Sequence, residues 1–152
     1  MKVQDAMTSG VRSVRPSSTL AEATGIMWDA DCGIVPAVNQ RNEVVGVVTD
    51  RDIAIALGTR DQTASNVRVA EVMSTQVVGC APGDTLAEAL SAMQAHRVHR
   101  LPVLGTGGVL LGMLSLNDIV LAAPQPVAKD PVIAMLRGVC AHRRHLVLAH
   151  AR

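Results

Sequence analysis

Two short stretches of the 152-residue chain carry residue types suited to a phosphate and a sugar. Gly46-Val47-Val48-Thr49-Asp50-Arg51-Asp52 and Gly112-Met113-Leu114-Ser115-Leu116-Asn117-Asp118 each run from an apolar strand pattern into a helix pattern, with a hydroxyl at the helix N-cap and a carboxylate three residues on. Two readings stand side by side. In one, Thr49 with Asp52 and Ser115 with Asp118 are capping boxes that stabilise each helix start by about 1 kcal/mol and do nothing more. In the other, the free amides and positive dipole end of the helix meet a phosphate that the hydroxyl also contacts, while the carboxylate suits the two hydroxyls of a ribose. The pattern occurs twice, each time after a glycine, Gly46 or Gly112, that lets a ligand or backbone come close, and this doubling favours the second reading.

A second concentration of chemistry is the basic run His96-Arg97-Val98-His99-Arg100-Leu101-Pro102. As cations these side chains suit phosphate, and equally suit a solvated helix end whose C-terminal dipole they complement. Arg51 can add charge at the first junction. His96 with His99, or Cys140 with His142 and His145, are set aside as metal ligands, because no set of four spaced ligands appears and neighbouring arginines repel a cation. Arg137, Arg143 and Arg144 form a modest basic patch that reads as a solvated face. The sequence contains no GxSxG, HExxH or P-loop motif, nor a catalytic Cys-His context, so hydrolase and kinase readings lack support and no enzyme is expected.

The elements that position these residues come as a repeat. Val3, Met7, Val11, Pro16, Thr19, Leu20, Glu22 and Met27 fall on Val69, Met73, Val77, Pro82, Thr85, Leu86, Glu88 and Met93, every pair 66 positions apart, and the register continues without a gap to Asp52 on Asp118 and Ile53 on Ile119. Two copies of one supersecondary unit follow from this. Each copy reads as strand, helix, strand, strand, helix: a short strand candidate at Val11 to Val14, a helix opened by the Thr19-Leu20-Ala21-Glu22 box, a hairpin of Ile34 to Val38 and Glu43 to Val48 around Asn39 to Asn42, and a last helix from near Thr49. In the second copy the box is Thr85 to Glu88, the hairpin pairs Leu101 to Leu104 with Val109 to Leu114 around Gly105 to Gly108, and the last helix starts near Ser115. Leu20, Ala23 and Met27, and Leu86, Ala89, Leu90 and Met93, form apolar stripes at helical spacing and are expected core. Trp28 reads as a packing or interface residue. Repeat 1 is placed at 1–66, repeat 2 at 67–124, and a tail at 125–152 in which Asp130 and Pro131 open a helix carrying Val132, Met135, Leu136, Val139 and Cys140 on one face.

Hydrophobic residues make up 49% of the chain but aromatics only 1%, so the core must be aliphatic, which suits sheets covered by helices. The formal net charge of +1 gives no general attraction to nucleic acid or anionic lipid. Cys32, Cys80 and Cys140 are odd in number and widely spaced, which argues against a disulfide framework and for a reducing cytoplasm. Charged residues interrupt every apolar stretch before about 18 residues, so a cytoplasmic protein without a membrane span is expected.

The paired Met-(Ser/Thr), Pro-x-x-Thr-Leu-x-Glu-Ala, Pro-(Val/Ala)-(Val/Leu) and Gly-x-x-(Thr/Ser)-x-x-Asp elements resemble the CBS-domain family over residues 3 to about 122. The resemblance implies an α/β (α+β) fold of two tandem βαββα repeats packed about a pseudo-twofold axis, a Bateman module, with two clefts for AMP, ADP, ATP or S-adenosylmethionine. It assigns phosphate or ribose contacts to Thr49 and Ser115, ribose hydroxyls to Asp52 and Asp118, and the adenine to the strand around Ile34 and Val35 or Arg100 and Leu101. The His99-Arg100 step is also similar to the basic step before the proline in the regulatory gamma subunit of AMP-activated kinase, where such residues reach phosphates. Because the register sets Gly33 and Ile34 opposite His99 and Arg100, the two clefts are expected to be unequal. The reading is a non-catalytic, homodimeric regulatory module that signals energy or metabolite state to an unidentified partner. Its alternatives are a ligand-free scaffold with the same fold and a nucleic-acid-binding accessory protein using the basic tail.

Overall fold

The Thr-Leu-Ala-Glu quartets form the boxes their spacing predicts. Thr19 Oγ1 accepts the Glu22 amide at 3.2 Å while the Glu22 carboxylate accepts the Thr19 amide at 2.6 Å, and Thr85 and Glu88 repeat this at 3.2 and 2.7 Å. These caps open α1 (Leu20–Asp29) and, in the second copy, α3 (Leu86–His96). The donated amide of Thr19 holds the Glu22 carboxyl below its usual range, and that of Thr85 does the same for Glu88.

The computed structural model describes residues 1–122 and Ile133. Between the helices lie β1 (Thr8–Ser9), the hairpin β2 (Ile34–Val38) and β3 (Val44–Thr49), and the hairpin β4 (Arg100–Leu104) and β5 (Leu110–Ser115). α2 (Asp50–Arg60) and α4 (Leu116–Ala122) follow β3 and β5 directly. Asn42 (φ 62°) turns the first hairpin, and Gly107 and Gly108 (φ 72° and 81°) turn the second, where glycine is needed for the left-handed backbone. The hairpins touch at these ends, through the Leu110 amide on the Asn42 carbonyl at 2.9 Å.

The strand candidate at Val11 to Val14 is corrected. Only Val14 pairs, in a single parallel bridge to Ala37, and the extended pairing lies earlier, at β1. The reason is that β1 joins the other copy: Thr8 stands opposite Met113 and Ser9 opposite Gly112 on β5. In the same register, Ser74 bridges Val47 on β3. The amides of Val3 and Gln4 donate to the carbonyls of Asp84 and Pro82, as those of Val69 and Ala70 do to Ser18 and Pro16. Each copy therefore lends its leading segment to the other.

The two aliphatic cores reflect this exchange. One gathers Leu20, Ala23, Val35 and Val48 with Val67 and Val69, while the other gathers Ala89, Leu101 and Leu114 with Val3. Val3, Val67 and Val69 have no exposed surface, and burying each contributes about 1.5–3 kcal/mol. Leu90, expected in the second stripe, is 39% exposed because Leu86, Ala89 and Met93 already fill the face turned to the core. Trp28 is 71% exposed and packs into neither core. The tail helix expected from Asp130 lies outside the described residues except for Ile133, which is helical. No helix among the described residues is long and apolar enough to cross a membrane.

A Cβ on Gly112 would stand 2.5 Å from the Thr8 carbonyl oxygen, whereas one on Gly58, inside α2, would meet nothing within 4 Å. Gly112→Ala is expected to destabilise by about 1–3 kcal/mol and Gly58→Ala to stabilise by about 0.4–1 kcal/mol in urea unfolding. The lowered carboxyls of Glu22 and Glu88 contribute stability above the unfolded pKa of about 4.3, and lose it as pH falls through their folded values. Accordingly, the double variant Glu22→Gln, Glu88→Gln should show a shallower loss of urea midpoint below that pH than the parent.

Candidate functional site

Because each leading segment crosses over, a cavity of about 530 Å³ is walled by both copies. Thr8 to Arg12 form one side, the chain from the end of α1 into β2 a second, and Arg100 with β5 and the start of α4 the third. Ser115 and Asp118 both line it, and Arg100 faces Ser115 in the strand register.

The junction at Ser115 is a full capping box. Asp118 Oδ2 accepts the Ser115 amide at 2.8 Å and the Ser115 hydroxyl at 2.6 Å, while Ser115 Oγ accepts the Asp118 amide at 3.1 Å. Thr49 and Asp52 repeat it at 2.9, 2.7 and 3.1 Å. Both readings of the motif thus meet in one carboxylate. One oxygen caps, and among the described residues no hydrogen bond reaches Asp118 Oδ1, which keeps its capacity to accept.

The helix start itself has little left for a phosphate. The Ser115 hydroxyl proton is spent on Asp118, the Leu116 amide donates to the His99 carbonyl at 2.9 Å, and the Asp118 amide to Ser115. At α2 the first amides are likewise taken, Asp50 by the Gly33 carbonyl at 3.1 Å and Arg51 by the Asp50 carboxylate at 2.7 Å. What remains on the cleft wall is the Asn117 amide, which has no acceptor among the described residues, together with the Arg100 guanidinium, which has no ion-pair partner among them.

Of the other sequence-selected residues, Ile34 lines the cavity, but Val35 and Leu101 have no exposed surface and belong to the cores. Strand alternation explains this correction: Ile34 faces the cleft, so Val35 must turn inward, while Pro36, on the cleft side of the strand, is itself fully buried beneath the wall. Gly46 and Gly112 make room for backbone, the carbonyls of Ser74 and Thr8, and line no part of the cavity. Thr49, Asp52 and the exposed Arg51 also lie outside its lining. His99 lines a separate hollow of about 370 Å³ with Arg97, Val98 and Leu116. Residue-by-residue reading missed Thr8 to Arg12, Asp29, Asp31, Cys32 and Asn117, all cavity-lining. The repeated Met-Thr and Met-Ser steps at 7–8 and 73–74 were the signal for the first of these.

Arg12 and Asp29 form an ion pair of 2.8 Å at the cavity, with both side chains more than half exposed, so it adds little to stability. Cys32 is half-buried in the wall, its Sγ 3.4 Å from the Ile34 carbonyl. Burial pushes the Cys80 thiol up to about 11. Among the described residues no group of three or more His, Cys, Asp or Glu side chains is placed to hold a metal.

The CBS domain family profile matches residues 3–59 and 69–124, one match per copy. The CBS domain-containing protein YhcV of Bacillus subtilis is 38% identical over 120 residues, covering 77% of this chain and 81% of its own. Inosine-5'-monophosphate dehydrogenase of Methanocaldococcus jannaschii is 33% identical over 84% of this chain, but the match spans only 24% of that enzyme. Among solved structures, CBSX2 in complex with AMP superposes with a TM-score of 0.71 at 25% identity, covering 83% of this chain and 98% of that one. With a profile match on each of two interlocked copies, the chain belongs to the CBS-domain family and is a CBS domain pair.

Proposed function

We propose that the chain is a non-catalytic regulatory module that takes an adenosyl ligand, AMP, ADP, ATP or S-adenosylmethionine, in the cleft between its two copies and passes that occupancy to a partner protein. The observation that carries the reading is Asp118. It lines a two-copy cavity of about 530 Å³ with one carboxylate oxygen fixed by Ser115 and the other free of hydrogen bonds among the described residues. In this reading Asp118 holds the ribose hydroxyls, Arg100 meets the phosphate, and Ile34 lies against the base. AMP in the similarly folded CBSX2 supports an adenosyl ligand. Thr49 and Asp52, with Arg51 beside them in sequence and His99 supplied by the second copy, would serve the pseudo-equivalent cleft. Ligand contacts reach both copies, so binding would favour whichever mutual arrangement makes those contacts best, and that differential affinity is the signal. A homodimer in the cytoplasm is the proposed setting.

The capping boxes also favour a second reading, a scaffold without ligand, since they give Ser115 and Asp118 a structural reason to be present. Calorimetric titration separates the two. AMP or S-adenosylmethionine should bind, and at about 100 times its dissociation constant should add roughly 2.7 kcal/mol of stability. Asp118→Ala should abolish binding in this cleft while costing the fold only about 1 kcal/mol through the weakened cap; binding that survives this substitution unchanged would refute the ribose assignment.

Peptide-resolved alkylation gives a local check. Cys32, half-buried in the cleft wall, should react with iodoacetamide well before the buried Cys80 with its raised pKa. AMP should slow labelling of Cys32 and leave the slow rate of Cys80 unchanged.

A further inference from the structure

The wall that the first copy contributes to the cleft is acidic. Asp29 and Asp31 line it at the end of α1, Asp118 adds a third carboxylate, and among the described residues only Arg12 and Arg100 oppose them. Arg12 is already held by Asp29 at 2.8 Å. Arg100 has no ion-pair partner among the described residues, and neither has Asp31. Asp31 takes a left-handed backbone (φ 47°) just past the helix end. The 66-residue register sets Arg97, also left-handed (φ 55°), in the corresponding place of the second copy, so the charge at this position is reversed between the copies.

Resting on the adenosyl reading of this cleft, we infer that its charge balance makes it selective for ligands carrying at most one phosphate. One phosphate has Arg100 to meet it. Each further phosphate brings negative charge for which no guanidinium remains among the described residues, next to the exposed carboxylates of Asp29 and Asp31, whose repulsion is moderate and screened by salt. A neutral or cationic adenosyl compound escapes this repulsion altogether.

Protection of Cys32 from iodoacetamide reports occupancy of this cleft whatever happens elsewhere in the molecule. In buffer free of divalent cations, half-protection by ATP should need about tenfold more nucleotide than half-protection by AMP, and added salt should narrow the gap. Asp31→Asn, which keeps a residue tolerant of the left-handed backbone, and Asp29→Asn, which also frees Arg12, should each bring the ratio closer to one. The inference is overturned if ATP protects at the same or a lower concentration than AMP, or if neither substitution nor salt moves the ratio. Failure of AMP, ATP and S-adenosylmethionine alike to protect Cys32 would instead bring down the adenosyl reading, and the inference with it. Because the salt titration uses the unaltered chain, the test does not depend on the variants folding.

Discussion

A Cβ on Gly112 would stand 2.5 Å from the Thr8 carbonyl oxygen, and one on Gly46 would meet the Met73 side chain at 2.6 Å and the Ser74 carbonyl oxygen at 3.0 Å. These two close backbone approaches are the points at which the copies interlock. From them follow the positions of β1 on β5 and of Ser74 on β3, the placement of Val3, Val67 and Val69 in cores built mainly by the opposite copy, and the wall of the cleft that runs from Thr8 to Arg12. A β-carbon at Gly112 would push the segment at Thr8 off its strand, and with it one side of the cavity, whereas at Gly46 the flexible Met73 side chain takes up most of the clash.

The capping box at Ser115 occupies only one oxygen of its carboxylate. Oδ2 satisfies the serine amide and hydroxyl, which fixes the rotamer of Asp118 and orders the start of α4, and Oδ1 is left without a hydrogen bond among the described residues. A carboxylate already held by its own helix loses less side-chain freedom on meeting a ligand than a mobile one would.

Much of this was legible in the sequence because the 66-residue register ties every local signal to a second copy. The Thr19 and Thr85 boxes, both hairpins and the Ser115 to Asp118 step all follow from residue type and spacing. What escaped was whatever depends on contacts between the copies. Gly46 and Gly112 could be recognised as sites of close approach, but spacing alone does not say whether ligand or backbone does the approaching. Val35 and Leu101 were given to the adenine because strand polarity was not fixed until β2 and β4 were placed against their helices. Asp29, Asp31 and Arg12 join the cleft only once Thr8 and Ser9 pair with the far hairpin, a relation that no local periodicity encodes.

The exchange of leading segments also bears on how the molecule comes apart. Removing residues 1–9 would strip Val3 from the second core, and lifting out residues 67–74 would strip Val67 and Val69 from the first, so neither half retains a complete interior when the other melts. The pair is therefore expected to unfold as one cooperative unit, with a perturbation along the crossing segments shared by both halves.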